Sequence, residues 1–213
     1  KPLATTPEHC VMLIQEAERQ GRNLWVWHEM RYTDFFSKVH RIVQSGQLGN
    51  IITVDHRENI ASWHYAHSYV RGNWRKKESS SPMILSKCCH DFDQLLWILG
   101  RRAVRLSSFG SLLHFRSDQI PHQKAPSHCT DGCPVEEECP FYAPRLYTSG
   151  PSKLLSRYIS PYQSHSSIME ALRTGPYGRC VYRCDNDVVD HQTVNMEFEG
   201  GFSVTMIVHG HSH

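Results

Sequence analysis

Residues 191–208 read HQTVNMEFEGGFSVTMIV, and this stretch decides the fold class. Gly200 and Gly201 divide it into two runs with strand-like patterning, an arrangement that is typical of a β-hairpin. Upstream, residues 104–115 form another long strand pattern, and Ile51 begins a shorter run with strong β propensity. Helical patterns are few in this part of the chain. The sequence therefore predicts an α+β fold with one open sheet, largely antiparallel or mixed, flanked by helices.

The first fifty residues alternate between helix and strand patterns. Thr6 and Pro7 mark a helix start, since a hydroxyl caps the helix and proline suits its first position, and Gly21 marks the end. The apolar run 24–27 predicts a short buried strand, and a helix with an apolar face follows over about 35–43. This alternation is typical of layered α/β folds.

Composition and charge exclude several classes of protein. The chain has 213 residues, 39% hydrophobic and 21% charged, which is enough apolar material for a core. The formal net charge is only +2 and the basic residues are scattered, which argues against nucleic-acid binding. No apolar run reaches the roughly 18 residues that a membrane helix needs. We therefore expect a globular, cytoplasmic protein with no membrane and no nucleic-acid partner.

An irregular insert at about 118–143 carries three closely spaced cysteines. Thiolates on a short loop can hold a zinc ion and fold a segment that has little core of its own. An iron–sulfur centre and plain reduced thiols are the alternatives, since clustered cysteines are typical of reducing compartments. The predicted structural zinc site is Cys129, Cys133, Cys139 and Cys184, with Cys180 and His128 as alternative fourth ligands.

Four motifs follow one another in a characteristic order. They are KPLATT at residues 1–6, HEMRY at 28–32, SGQLG at 45–49 and CHDFD at 89–93. In this order and spacing the chain resembles the glucose-fructose oxidoreductase / inositol dehydrogenase / MocA family of dehydrogenases.

The resemblance implies a division of labour between two domains. In that family a Rossmann domain binds NAD or NADP, and a C-terminal domain with a large open sheet supplies substrate and oligomer contacts. Residues 1–28 would then be the last helix-strand remnant of the dinucleotide-binding domain, and 29–213 the substrate and oligomerisation domain. Lys1 and Pro2 would belong to the family's Glu-Lys-Pro motif beside the cofactor. We expect a homodimer or homotetramer, and an inactive fragment without the glycine-rich turn that would lie upstream.

The same resemblance implies the catalytic residues. Lys1 would lie beside the nicotinamide and the substrate hydroxyl, and His90 matches the family's active-site histidine. Histidine is suited to proton transfer near neutral pH. The family's aspartate, four residues before the histidine, is replaced here by Ser86. Either Lys87 or Asp91 compensates, or His90 works without a partner.

Polar and aromatic side chains elsewhere are candidates for sugar or polyol binding. Aromatic and histidine faces suit sugar rings, and arginine suits carboxylates or phosphates. For most of them a surface loop, a turn or an Arg31–Asp34 ion pair is an equally open interpretation. The substrate-binding candidates are Arg31, Tyr32, His67, Arg71, Trp74, Ser86, Lys87 and His191.

Two functions remain open at this point. The first is an NAD(P)-dependent oxidoreductase acting on a sugar, polyol or derivative. The second is a non-catalytic ligand-sensing or scaffold relative, which the serine at position 86 favours. The retained Lys1 and His90 favour the enzyme.

Overall fold

The computed structural model describes residues 1–150 and 153–212. Within it the chain forms two compact units, each assembled from separate segments of sequence. Unit 1 comprises Lys1–Glu58, Ser80–Phe109 and Gln192–Ile207, and unit 2 comprises Asn59–Ser79, Gly110–His191 and Val208–His213. Neither unit begins or ends at residue 28, and the domain division expected there stays a prediction.

Helices occur in both units. Their starts follow the sequence: Thr6 Oγ1 accepts a hydrogen bond from His9 N at the first helix, and Gly100 ends the fourth with a left-handed φ of 61°. No described helix is long and apolar enough to cross a bilayer. The α-helices are α1 (Pro7–Arg19), α2 (Asp34–Gln44), α3 (Ser62–Tyr65), α4 (Met83–Leu99), α5 (Ala143–Thr148) and α6 (His165–Thr174).

Short helical turns join these elements. One is a π-helical turn at Ala66–Arg71, directly after α3. The others are 3₁₀ turns at Glu29–Tyr32, Ser117–Gln119, Lys153–Tyr158, Pro176–Gly178 and Val181–Arg183.

The strands form one open four-stranded sheet. They are β1 (Thr53–Ala61), β2 (Ala103–Ser111), β3 (His191–Phe198) and β4 (Ser203–Ser212), in the order β1-β4-β3-β2. Phe198 N donates to Phe202 O at 3.0 Å and closes the predicted β3–β4 hairpin. Ser203 and Thr53, at the starts of β4 and β1, lie side by side, so these two strands are parallel. The sheet is therefore mixed, and the predicted α+β class is confirmed.

The predicted strand at residues 24–27 is wrong. This run has no regular secondary structure, and Trp25 and Trp27 are 80% and 62% exposed. A strand is stable only with a hydrogen-bonding neighbour, and in the described part of the chain no strand pairs with this run. The prediction for residues 104–115 was too long. β2 ends at Ser111, because the amides of Leu113 and His114 donate to the Asp190 carboxylate instead of to a neighbouring strand.

In unit 1, β1 and α4 position the residues of interest. Side chains alternate along a strand, so His56 and Glu58 share the more buried face of β1. α4 is anchored to α2 in two ways: Gln44 Nε2 donates to Ile98 O at 2.8 Å, and the rings of His40 and Trp97 stack with centroids 4.1 Å apart.

In unit 2, two glycines permit close packing. A Cβ at Gly210 would lie 2.2 Å from the Tyr65 ring, and one at Gly178 would lie 1.8 Å from Leu172 O. A larger residue at either position would therefore collide with its neighbour. One apolar cluster of this unit consists of Cys129, Ala143, Leu146, Tyr147, Ile168 and Leu172.

Candidate active site

Lys1 and His90 meet at one point in unit 1. Lys1 Nζ lies 2.6 Å from His90 Nδ1, although 89 positions separate the two residues in sequence. His90 projects from α4, and only 12% of its side chain is exposed. Because an ammonium group can only donate, a protonated Lys1 requires a free lone pair on Nδ1 and places the histidine proton on Nε2.

A buried carboxylate lies on the other side of the imidazole. Asp91 Oδ2 is 3.3 Å from His90 Nε2, and Asp91 is only 2% exposed. Its second oxygen, Oδ1, lies 2.8 Å from His56 Nε2 on β1. In the part of the chain that the structure describes, no hydrogen-bond donor satisfies Oδ2 itself. Asp91 therefore has one oxygen held by the strand and one directed to the catalytic candidate.

A second ion pair borders this group. Lys87 Nζ donates to Glu58 Oε1 at 2.5 Å, so α4 and β1 are joined here as well. Glu58, His90 and Asp91 bring their ligand atoms within 4.8 Å of one another, a spacing that could also hold a metal ion. The cationic Lys1 and Lys87 already balance the two carboxylates, so charge favours proton transfer over metal binding at this point.

The environment of His90 favours its neutral form. Burial is the largest influence and lowers the pKa of His90 below its ordinary value, and the positive charges of Lys1 and Lys87 lower it further. Asp91 acts in the opposite direction, but the net shift is downward. A neutral imidazole can accept a proton, which is the chemistry required of a general base.

Ser86 does not replace the family's aspartate. Its hydroxyl bonds back to Pro82 O and Met83 O in the preceding turn of α4, at 3.3 and 3.4 Å. The carboxylate beside His90 comes instead from Asp91, the next residue along the chain. Of the alternatives left open by the sequence, Asp91 is the one that the geometry favours.

Most of the chain matches the model of a known protein family. Residues 41–213 match the model of the oxidoreductase family C-terminal alpha/beta domain, GFO_IDH_MocA_C. The chain belongs to this family. The resemblance carried by the four motifs is therefore confirmed.

A curated relative and two solved structures agree with this assignment. The oxidoreductase YteT of Bacillus subtilis is 24% identical over 204 residues, covering 94% of this chain and 46% of the relative. The WlbA dehydrogenase of Bordetella pertussis, solved with NADH and UDP-GlcNAcA, has a TM-score of 0.57 at 12% identity, covering 100% of this chain and 44% of that one. A super-repressor mutant of Gal80p from Saccharomyces cerevisiae has a TM-score of 0.59 at 11% identity, with 100% and 41% coverage.

These similarities show the fold of the chain. The chain spans less than half the length of each of these relatives. At such low identity the two solved structures show the family fold alone. NADH in the Bordetella structure shows that a nicotinamide cofactor occurs among proteins with this fold.

Arg31, one of the substrate-binding candidates, forms an ion pair with Asp93. Its Nε and one terminal nitrogen donate to both oxygens of Asp93 at 2.6 and 2.5 Å, and its guanidinium lies over the Trp97 ring. The alternative pairing with Asp34 is wrong. Tyr32 stacks on Trp27 at 5.1 Å and remains 71% exposed.

The four candidates in unit 2 differ in accessibility. His67 is 7% exposed and bonds to the Tyr147 hydroxyl at 2.8 Å, and Arg71 is fully buried. A direct substrate-binding role for His67 and Arg71 therefore has no support from this structure, because both lie in the packed interior. Trp74 is 43% exposed, and His191, at the start of β3, pairs with Asp190 at 2.9 Å.

The predicted zinc ligands also need correction. Across residues 1–150 and 153–212, the group Glu58, His90 and Asp91 is the one that brings three potential ligand atoms within 4.8 Å, and it contains no cysteine. A zinc site at Cys129, Cys133, Cys139 and Cys184 is therefore not supported. Cys184 is directed elsewhere, since the turn Val181–Arg183 lets its thiol donate to Cys180 O at 3.3 Å.

His56 and Glu58 are the residues that sequence reasoning missed. They follow the strand start in the segment TVDHRENIA, where charged residues occupy both faces of β1. A strand with histidine and glutamate on its more buried face requires partners for them, and this was the available signal. The partners, on α4, could not be assigned without the fold.

Proposed function

We propose that this chain is part of an oxidoreductase that transfers a hydride between NAD or NADP and a sugar, polyol or derivative. The contact between Lys1 and His90, backed by the buried Asp91, is the observation that carries the proposal. NADH and UDP-GlcNAcA in the Bordetella pertussis relative support the cofactor and substrate classes.

The residues of unit 1 fit the proton half of alcohol oxidation. The cofactor, when bound, accepts the hydride from the carbinol carbon, and the hydroxyl proton must leave at the same time. The Lys1 ammonium passes a proton to His90 Nδ1, 2.6 Å away, and takes the hydroxyl proton in its place. Asp91 then stabilises the imidazolium that forms. Lys1 and Pro2 are the residues of this chain that we propose for cofactor contact.

The test is a screen of the full-length protein. NADH or NADPH formation is followed with NAD⁺ or NADP⁺ and a panel of polyols, sugars and sugar nucleotides. We expect turnover with at least one substrate, and losses of roughly 10²–10⁴-fold in Lys1→Met and His90→Ala. The exposed His165 provides the matched control, since His165→Ala should leave turnover unchanged. Turnover that survives His90→Ala would remove His90 from the mechanism.

The cofactor is expected to bind mainly outside these 213 residues. The glycine-rich turn that holds the pyrophosphate in Rossmann domains is not among them. Calorimetry with NADH should therefore detect no tight binding to this chain alone, which would also be inactive. Micromolar affinity for the isolated chain would contradict the proposal.

An oligomer is part of the same proposal. Apolar side chains on β2 are open to solvent, with Val104 59%, Leu106 64% and Phe109 74% exposed. Apolar surface of this kind commonly marks a contact between copies in family domains with open sheets. Light scattering of the full-length protein should give a dimer or tetramer, and Leu106→Glu should shift it towards the monomer.

A non-catalytic, ligand-sensing protein is the second candidate. Ser86 in place of the family's aspartate favours it, as does the similarity in fold to a super-repressor mutant of Gal80p. This candidate predicts that the full-length protein binds NAD(P)H, detected by calorimetry, without turnover of any substrate in the panel.

A further inference from the structure

Four cysteines of unit 2 surround one small cavity. The cavity is largely enclosed by aromatic and apolar side chains, among them Phe141 and Tyr182. The space at this site, including the part open to solvent, is about 310 Å³. The cysteines that line it are Cys129, Cys133, Cys139 and Cys180.

Backbone pairing brings these cysteines together from two distant segments. His128 and Arg179 form an isolated antiparallel bridge, in which Cys129 N donates to Gly178 O and Cys180 N to Ser127 O, both at 2.8 Å. This bridge aligns the first cysteine of the insert with a segment some fifty positions later. Cys180, and not Cys184, is therefore the fourth cysteine at the cavity.

Arg145 holds the loop that carries the other two cysteines, Cys133 and Cys139. The Arg145 guanidinium donates to Glu136 O at 2.9 Å and to Cys139 O at 2.5 Å. Within the loop, Glu136 N donates to Cys133 O and Cys139 N donates to Val135 O. The loop thus has a defined conformation although it contains no helix or strand.

Arg71 provides an independent observation at the same place. It is 0% exposed, and it donates to Arg179 O and Phe141 O at 2.7 Å and to Cys129 Sγ at 3.6 Å. Among the described residues its remaining terminal nitrogen has no hydrogen-bond partner, and no carboxylate is among the charged groups that act on Arg71. A buried cation without a counter-charge is strongly destabilising. Neutral thiols cannot supply that charge, whereas metal-bound thiolates can.

The spacing of the thiols argues against a single zinc ion. Zinc holds thiolates at about 2.3 Å, which places the sulfurs roughly 3.8 Å apart in a tetrahedron. No three of these sulfurs lie within 4.8 Å of one another, as the survey of ligand groups over residues 1–150 and 153–212 shows. An iron–sulfur cube holds its four thiolates further apart, because the cluster itself lies between them.

We propose that Cys129, Cys133, Cys139 and Cys180 bind a [4Fe–4S] cluster in unit 2. Each thiol loses its proton on binding iron, and the four thiolates leave the assembled centre net negative beside Arg71. The guanidinium offsets this charge and donates to Cys129 Sγ, one of the interactions that set cluster potentials. The cluster also explains how an insert with few apolar residues keeps its conformation. This proposal does not depend on Lys1 and His90.

The experiment uses the full-length protein, purified without oxygen and reconstituted with ferric iron, sulfide and a dithiol that supplies the two electrons needed for a [4Fe–4S]²⁺ core, and in a parallel arm with zinc alone. Iron and acid-labile sulfide at about four each per chain, with visible absorption that dithionite bleaches, are the expected result. Cys180→Ser should lose most of the iron and this absorption. Cys184→Ser, four positions later, should keep both.

Other results would overturn the proposal. They are one zinc per chain with no iron–sulfur absorption after reconstitution, no bound metal in either arm, or loss of iron in Cys184→Ser with retention in Cys180→Ser. If Cys180→Ser does not fold, the iron and sulfide content of the wild type and of Cys184→Ser decides the question without it.

Discussion

Asp91 Oδ1 lies 2.8 Å from His56 Nε2, and this contact joins α4 to β1 next to His90 in the sequence. It fixes the carboxylate whose other oxygen lies 3.3 Å from the His90 imidazole. His56 on β1 thus positions the Asp91 carboxylate, and Asp91 in turn acts on His90. Replacing either Asp91 or His56 should therefore change the behaviour of His90.

Asp91→Asn should change the pH profile as well as the rate. Asp91 opposes the downward shift in the pKa of His90 that burial and the two lysines produce. Without its charge the pKa of His90 falls further, so the acid limb of kcat/KM should move to lower pH, and kcat should fall at least about tenfold. An unchanged limb with a uniform loss of rate would indicate that Asp91 is only structural. His56→Gln, which keeps the carboxylate, should shift the limb less.

His67 should make stability depend on pH. Burial lowers its pKa to about 4 in the folded protein, whereas an unfolded histidine has an ordinary value near 6.5. The unfolded chain therefore binds more protons between these values, and this contribution to stability is present above pH 6.5 and is lost as the pH falls to about 4. Urea unfolding across this window should show a loss on the order of 3 kcal/mol.

The matched variant for this experiment is His67→Gln. It keeps a polar group near the Tyr147 hydroxyl but cannot titrate, so its stability should vary less over the same pH window. A wild-type protein whose stability is flat between pH 4 and 6.5 would contradict the buried neutral histidine.

Asp190 should be a major determinant of stability in unit 2. Its buried carboxylate accepts hydrogen bonds from Leu113 N and His114 N and faces His191. Burial raises its pKa, but the hydrogen bonds outweigh burial, and the net pKa is lower than usual. Asp190→Asn should cost about 3 kcal/mol in urea unfolding. The exposed Asp118, paired with Arg116, is the control, and Asp118→Asn should cost less than about 1 kcal/mol.

Gly210→Ala tests the close packing of β4. The new Cβ would lie 2.2 Å from the Tyr65 ring, which is fully buried and cannot easily move. The expected loss is about 1–3 kcal/mol in the free energy of unfolding. Ser107→Ala on the exposed strand β2 should change it by no more than about 0.5 kcal/mol. A neutral Gly210→Ala would show that the Tyr65 packing is looser than described.

The sequence predicted the elements whose signals are local. The β3–β4 hairpin follows from the glycine pair at its turn, and α1 begins where Thr6 and Pro7 indicate. The prediction of a buried strand at 24–27 was wrong, because apolar composition predicts a buried strand only when a neighbouring strand is available. In the described residues none pairs with it.

For the candidate site, the family motif selected Lys1 and His90, and their side chains are in contact. Their catalytic role stays a prediction. The carboxylate partner could not be fixed, because Asp91 reaches Nε2 only when His56 holds it from another element. Similarly, cysteine spacing could not choose between Cys180 and Cys184. That choice follows from the β-bridge at Arg179, a contact between segments that are distant in sequence.

A double-mutant cycle on Lys1 and His90 tests the central claim most directly. If the two side chains, 2.6 Å apart, move one proton as a unit, kcat/KM of the full-length Lys1→Met/His90→Ala variant should resemble that of the worse single variant. Losses that multiply, or single variants with wild-type kcat/KM, would contradict the account.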